Sequence, residues 1–328
     1  MLLSEGIYIG SLPLRNRIVM PPMATRSSDH GAPTVELIRY YAARAEWTGL
    51  IIVEHEYVSA EGMANRGQLS MADRDLLPAY RSLTEAIHEK GGAVFAQISH
   101  AGALASDTGL PSIGPDETPV RDSQQPVRMT QEDIRKVTDA FTRAALLAKE
   151  AGFDGVEVHA AHGYLLNQFY SPAVNHRTDD YTGSSIEGRT RLHTEIIRGI
   201  KAAAGSSYPV AIRFGACDYM ENGSSPEDIP EAVQRFEAAG ADMIDISGGL
   251  NGFMIKGHSE PGWFADLSRR AKGAVSVPVM LTGGIITPED AEKLLQSGVA
   301  DLIGVGRAML KDAEWAKKAL QLPLRVQE

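Results

Sequence analysis

The stretch QEDIRKVTDAFTRAALLAKEAGFDGVEVH, Gln131–His159, contains one complete step from helix to strand. Thr130 stands just ahead of it as an N-cap, and Glu132 and Asp133 put carboxylates at the positive end of the helix dipole. Gln131–Ala151 then reads as a helix, Gly152 supplies the left-handed residue that ends it, and Gly155–His159 is an apolar run of strand length. Outward in both directions the same alternation recurs. Strand-like runs lie at Ile18–Met20, Leu50–Val53, Ala93–Ile98, Gly155–His159, Val210–Phe214, Met243–Ile246, Val277–Leu281 and Leu302–Val305. Helical stretches lie between and after them at Val35–Thr48, Leu76–Lys90, Gln131–Ala151, Glu187–Ala203, Pro226–Ala239, Trp263–Lys272, Pro288–Gln296 and Lys311–Leu320. Gly49, Gly91, Gly240 and Gly298 mark helix ends as Gly152 does, and Pro226 and Pro288 sit at first helical positions.

Alternating strands and helices call for a parallel sheet. Eight such pairs in 328 residues, with no break in composition, predict one α/β domain over residues 1–328, a (β/α)8 TIM barrel. An open doubly wound sheet with extra helices is the alternative. Ile7-Tyr8-Ile9 and Leu12-Pro13-Leu14 are expected to form a short hairpin capping the barrel floor. Ser99–Met129 is too long for a plain connection and is expected as a lid or binding loop at the C-terminal face.

Composition narrows the function. Lys and Arg number 32 against 42 Asp and Glu, a formal charge of −10, which argues against a nucleic-acid partner. A single cysteine, Cys217, permits no disulfide framework and no cysteine-held cluster within one chain. No run reaches the length of a membrane span, and the N-terminus lacks a secretory h-region, so a cytoplasmic protein with no membrane partner is expected.

Chemistry is expected at the strand ends. Met20-Pro21-Pro22-Met23-Ala24-Thr25-Arg26 is a rigid apolar edge suited to a flat ring, or an ordinary stiff turn. Gln97 can donate and accept at once, matching an amide-like ring edge, or satisfy the core. His159 and His162, three apart, face one way if the segment turns helical, with Tyr164 beside them as an acid. Donation to a substrate oxygen ranks ahead of a core role for one histidine, and both rank ahead of a metal site, for which Glu54, His55 and Glu56 would be the further ligands. Arg213, inside an apolar strand, needs an internal partner, Asp245 or Glu157, or serves as a fixed charge for an anionic cofactor. Thr282-Gly283-Gly284-Ile285 and Gly304-Val305-Gly306-Arg307 follow strands seven and eight, where barrels commonly hold phosphate.

As an ordered set these residues resemble the old yellow enzyme family of flavin mononucleotide (FMN) oxidoreductases. The likeness runs from Asn16–Met23 through Gln97 and His100-Ala101-Gly102 to His159–Tyr164. It continues in Asn175–Asp179 and Tyr181–Arg189 and closes at Gly306-Arg307. The resemblance implies FMN across the barrel mouth, with Pro22, Met23, Ala24 and Tyr57 against it and Gln97 on its pyrimidine edge. Arg213 would lie near its N1/O2 edge, and Gly283, Gly284, Gly306 and Arg307 would hold its phosphate. It further implies His159 and His162 as grips on a substrate oxygen and Tyr164 as proton donor. Ala24 stands where many relatives carry Cys or Thr. Arg26 stands where several carry an aromatic residue, which points to an anionic substrate.

The reading that follows is an FMN-dependent NAD(P)H oxidoreductase of the short form without an iron–sulfur cluster. It reduces activated C=C bonds in small molecules, with NADH or NADPH as reductant and no bound metal. An FMN-dependent amine dehydrogenase or demethylase is the rival within the family, and a metal-dependent barrel hydrolase or lyase the rival outside it. A homodimer or higher homo-oligomer is the default assembly, with Arg325 either reaching a neighbouring site or fraying.

Overall fold

The computed structural model describes residues 1–321. Its main sheet has nine parallel strands, of which eight close on themselves: β1 (Ile18–Met20), β2 (Leu50–Tyr57), β3 (Ala93–Ser99), β4 (Gly155–Ala160), β5 (Val210–Gly215), β6 (Met243–Ser247), β7 (Val279–Leu281) and β8 (Leu302–Gly304). β8 pairs with β1 and β1 with β2, which completes a (β/α)8 barrel. The ninth strand, Leu69–Ser70, pairs only with the end of β2.

Helices α1 (Val35–Ala45), α2 (Leu77–His88), α3 (Gln131–Glu150), the short α4 (Leu165–Tyr170), α5 (Ile186–Ala204), α6 (Ile229–Ala239), α7 (Ala265–Lys272), α8 (Pro288–Gln296), the short α9 (Arg307–Lys311) and α10 (Trp315–Leu320) surround it. Thr130 caps α3 in a reciprocal capping box with Asp133. Pro226–Asp228 forms a 3-10 turn before α6 rather than its first turn. The helix expected over Lys311–Leu320 begins only at Trp315, because Lys311 ends the separate α9 where Asp312 turns extended, with φ −139°.

The hairpin Ile7–Ile9/Leu12–Leu14 is present. Ile9 and Leu14 enter the barrel floor and pack on Val19, Leu50, Ile52, Phe95, Ala211, Met243, Met280 and Leu302. Side chains on a strand alternate between faces, so these residues form the inner stack and their neighbours meet the helices. The long loop over 99–129 is tied down. Ile113–Gly114 pairs with Val127–Arg128, and buried Arg177 donates through Nη1 to the carbonyls of Pro115 (2.9 Å) and Met129 (2.7 Å).

Candidate active site

Two residues above the floor, the barrel interior changes character. β3 turns inward Phe95 and then Gln97, β5 Ala211 and then Arg213, β6 Met243 and then Asp245. Gln97 Nε2 donates to Glu157 Oε1 at 2.8 Å, which leaves the amide oxygen of Gln97 for the mouth. Arg213 Nη1 lies 3.3 Å from Asp245 Oδ2, so the internal partner of Arg213 is Asp245. Arg213 Nε is buried and has no protein acceptor.

His159, His162 and Tyr164 converge, though not through a helix. β4 ends at Ala160, and His162 (φ 60°) and Gly163 (φ 79°) are consecutive left-handed residues that swing the chain before α4. A non-glycine residue there is strained by about 1–3 kcal/mol. Buried side chains from α4 hold the turn. Gly163 N donates to Asn167 Oδ1, and Gln168 Nε2 donates to the Gly163 carbonyl, both at 2.7 Å. Arg121, from the long loop, donates to the His162 carbonyl at 3.0 Å. The His159 ring centroid then lies 5.0 Å from each of His162 and Tyr164. Ser247 Oγ sits 2.7 Å from His162 Nε2 and fixes that ring.

A third histidine joins them. Glu54 and His55 together oppose Gln97 of β3, a bulge between the Val53–Ala96 and Glu56–Ile98 pairs. Bulges re-aim side chains. Here His55 is turned to the mouth, 5.5 Å from Tyr164 between ring centroids, with Nδ1 2.7 Å from Gln68 Nε2. Glu54 instead staples the first loop, accepting from Thr25 N and Oγ1 (3.0 Å each) and from the Tyr41 hydroxyl (3.2 Å). Glu56 is fully buried and neither of its carboxyl oxygens has a partner. The three residues therefore do not converge, and among the described residues no group of three or more His, Cys, Asp or Glu side chains is placed to hold a metal ion.

Burial holds these imidazoles neutral. Desolvation, then nearby His162, His55 and Arg213, drives His159 well below the usual histidine range. Desolvation with Arg213, Arg121 and His55 does the same to His162. Desolvation and Arg26 bring His55 down to about 4. Burial pushes the Tyr164 phenol up, against the pull of Arg121 and Arg26. The cluster thus offers neutral N–H donors and a phenol that keeps its proton.

The first loop brings Pro22 and Met23, half-buried, and Ala24, exposed, to the rim. Arg26 is exposed, with φ 58°, and its charge acts on His55 and Tyr164. Tyr57 closes β2, with its hydroxyl near Gly31 of the first loop. Gly306 is close to Met23, where an added Cβ would come within 2.7 Å of the sulfur. Gly283 (φ 110°) and Gly284 (φ 66°) run under Trp263, and a Cβ on Gly283 would sit 2.5 Å from the indole nitrogen. That Trp263 N–H is buried without an acceptor, and the Arg307 guanidinium lies 5.3 Å from the ring centroid. Arg307 has no carboxylate partner among the described residues. Two glycine turns, an orphan donor and an arginine suit a phosphate group, while the Gln97 amide oxygen and Arg213 suit the polar edge of a flavin. These residues therefore fit FMN. Trp263 was expected as the start of a helix. It lies just ahead of α7, and only the close approach of the Gly283 loop reveals it.

The Asn175–Arg189 stretch is scaffold rather than site. Asn175 Nδ2 donates to the carbonyls of Phe169 and Tyr181, and Arg189 joins the Tyr170 carbonyl to Asp228. Arg325 lies outside the described residues.

The family described as NADH:flavin oxidoreductase / NADH oxidase matches residues 3–323. The chain is 40% identical over 329 residues to the NADH oxidase of Thermoanaerobacter brockii, covering 97% of this chain and 50% of that protein. It is 36% identical to the NADPH dehydrogenase of Bacillus subtilis (strain 168), covering 95% and 92%. A solved 2-naphthoyl-CoA reductase, complexed with 2-naphthoyl-CoA, aligns with a TM-score of 0.92 at 28% identity, covering 97% of this chain and 52% of that one. The chain thus spans about half the length of the oxidase and of the naphthoyl-CoA reductase.

Proposed function

The chain belongs to the NADH:flavin oxidoreductase / NADH oxidase family, with FMN as cofactor and NADH or NADPH as reductant, and from that premise we propose that it reduces activated C=C bonds of α,β-unsaturated carbonyl or related compounds. The observation that carries this reading is the packing of neutral His159 and His162 against Tyr164 directly above Gln97 and Arg213.

Bound FMN would supply the hydride. Gly283, Gly284, Gly306 and Arg307 would hold its phosphate, with Trp263 as a further donor. Pro22, Met23 and Ala24 would line its ring, Gln97 would accept from its pyrimidine edge, and Arg213 would face its N1/O2 side. His159 and His162 donate to the substrate oxygen, on which negative charge grows as the β-carbon accepts hydride. Donors fixed in advance favour that developing charge over the ground state. Tyr164 holds a proton through the neutral range and delivers it to the α-carbon. Arg26 lies where an anionic substituent of the substrate would meet it. An ammonium group entering the same mouth would face Arg26 and Arg121, so oxidation of a small amine fits the charge pattern less well.

Tyr164→Phe separates the two halves of the cycle. Reduction by NADPH should keep its rate, while reoxidation by 2-cyclohexenone should slow by about 100-fold or more. Equal slowing of both halves would overturn the assignment of Tyr164.

A further inference from the structure

Beneath the mouth, the carboxyl groups of Glu157 and Asp245 are fully buried side by side. They come from β4 and β6, which flank β5, and alternate strands of a barrel fill the same interior layer. Ala211, the β5 partner of Glu157, is small enough to let them meet across it. The donors within reach are few. Gln97 Nε2 serves Glu157 Oε1, and Arg213 Nη1 approaches Asp245 Oδ2. Thr282, just past β7, spends its hydroxyl on the Ile246 carbonyl, and His159 above is neutral. Val19, Met280 and Leu302 complete the wall from β1, β7 and β8 and bring no polar group. Glu157 Oε2 and both Asp245 oxygens are left without a well-formed donor.

Two carboxylates in contact, buried with one guanidinium, cannot both stay charged. A single proton resolves the shortage, because it makes one acid the donor to the other. We propose that Glu157 carries that proton and donates through Oε2 to an ionised Asp245, and that this pair sets how much of the Arg213 charge reaches the cofactor. The assignment within the pair follows from Arg213, which lies against Asp245. Desolvation and the Asp245 charge also push Glu157 well above the ordinary carboxyl range, whereas desolvation raises Asp245 only to about 6 because Arg213 opposes it. Glu157 is then a positioning residue with two effects. It takes the Gln97 amide N–H and so aims the amide oxygen at the pyrimidine edge. It also adds no charge of its own, so Arg213 and Asp245 sum to zero below the ring.

The consequence for the cofactor rests on the FMN reading above; the shared proton itself does not. In FMN-loaded protein, Glu157→Gln replaces a neutral group by a neutral one. It should leave the ratio of affinities for reduced and oxidised FMN within about twofold of wild type. Asp245→Asn combined with Glu157→Gln removes the pair's negative charge, leaves no acid to ionise in its place, and leaves Arg213 bare under the ring. It should raise that ratio about tenfold or more, about 30 mV for a two-electron couple. Equal shifts in the two variants, or none in either, would overturn the proposal. If the double variant does not fold, infrared difference spectroscopy of Glu157→Gln against wild type, with and without FMN, reads the proton directly. Loss of one protonated-carboxyl band is expected, with Glu56 retaining its own. An unchanged set of bands would overturn the proposal. A wild-type protein that takes up no FMN but loses the band in Glu157→Gln would break the functional reading and leave the shared proton standing.

Discussion

The floor and the mouth of this barrel are built by the same strands, two residues apart, and have opposite characters. Phe95, Ala211 and Met243 face the hairpin plug of Ile9 and Leu14, whereas Gln97, Arg213 and Asp245 face the site. Below, every inward side chain buries apolar surface. Above, Arg213 Nε and His159 Nδ1 are buried without partners. Each such atom costs stability unless a ligand satisfies it. One pleat of backbone thus divides the part that holds the barrel closed from the part that waits for a ligand.

Substitutions on the two levels should therefore fail in different ways. The largest effect is expected at the floor. Phe95→Ala should cost about 3–5 kcal/mol of stability, read by denaturant unfolding, and leave the folded fraction with wild-type cofactor affinity. A stable variant that loses cofactor affinity would break the division. Next, at the mouth, His159→Ala should lower kcat/KM for an enone about 10²–10³-fold without a matching loss of stability. Arg26→Ala should weaken anionic enones about tenfold relative to neutral ones, measured as a ratio of kcat/KM values. Equal loss on both would remove the selective role of Arg26.

The smallest effect expected is a null one. His55, His159 and His162 have folded values below the ordinary histidine value, so they are already neutral above it and gain protons only on acidification. Tyr164 is raised, so it keeps its proton on the alkaline side. The reoxidation rate should therefore be flat between about pH 6 and 8, and a histidine titration there would contradict neutral donors.

The two levels also differed in how far they could be read from the amino-acid sequence. The floor and the order of strands and helices were legible because apolar runs and helix-ending glycines are local signals. Strand limits were less so. β2 was expected to end at Val53 and runs to Tyr57, because its polar tail, Glu54-His55-Glu56, still pairs with β3. Strand-end position made Gln97, His159, Arg213 and the glycine loops visible as candidates. The bulge was not visible, so Glu54, His55 and Glu56 could be read only as possible further ligands of the lowest-ranked alternative, a metal site. In three dimensions they are a loop staple, a site histidine and a buried unpartnered acid. The turn at His162 and Gly163 was equally hidden, since a left-handed histidine is dictated by Asn167 and Gln168 rather than by its own preference.

The most direct measurement is the visible spectrum of the purified protein under anaerobic conditions, before and after NADPH or NADH and then 2-cyclohexenone. The predicted result is a flavin spectrum that bleaches with the nicotinamide and returns with the enone. A colourless protein that takes up no added FMN, or a reduced flavin that the enone does not reoxidise, would contradict an FMN-dependent reductase of activated alkenes.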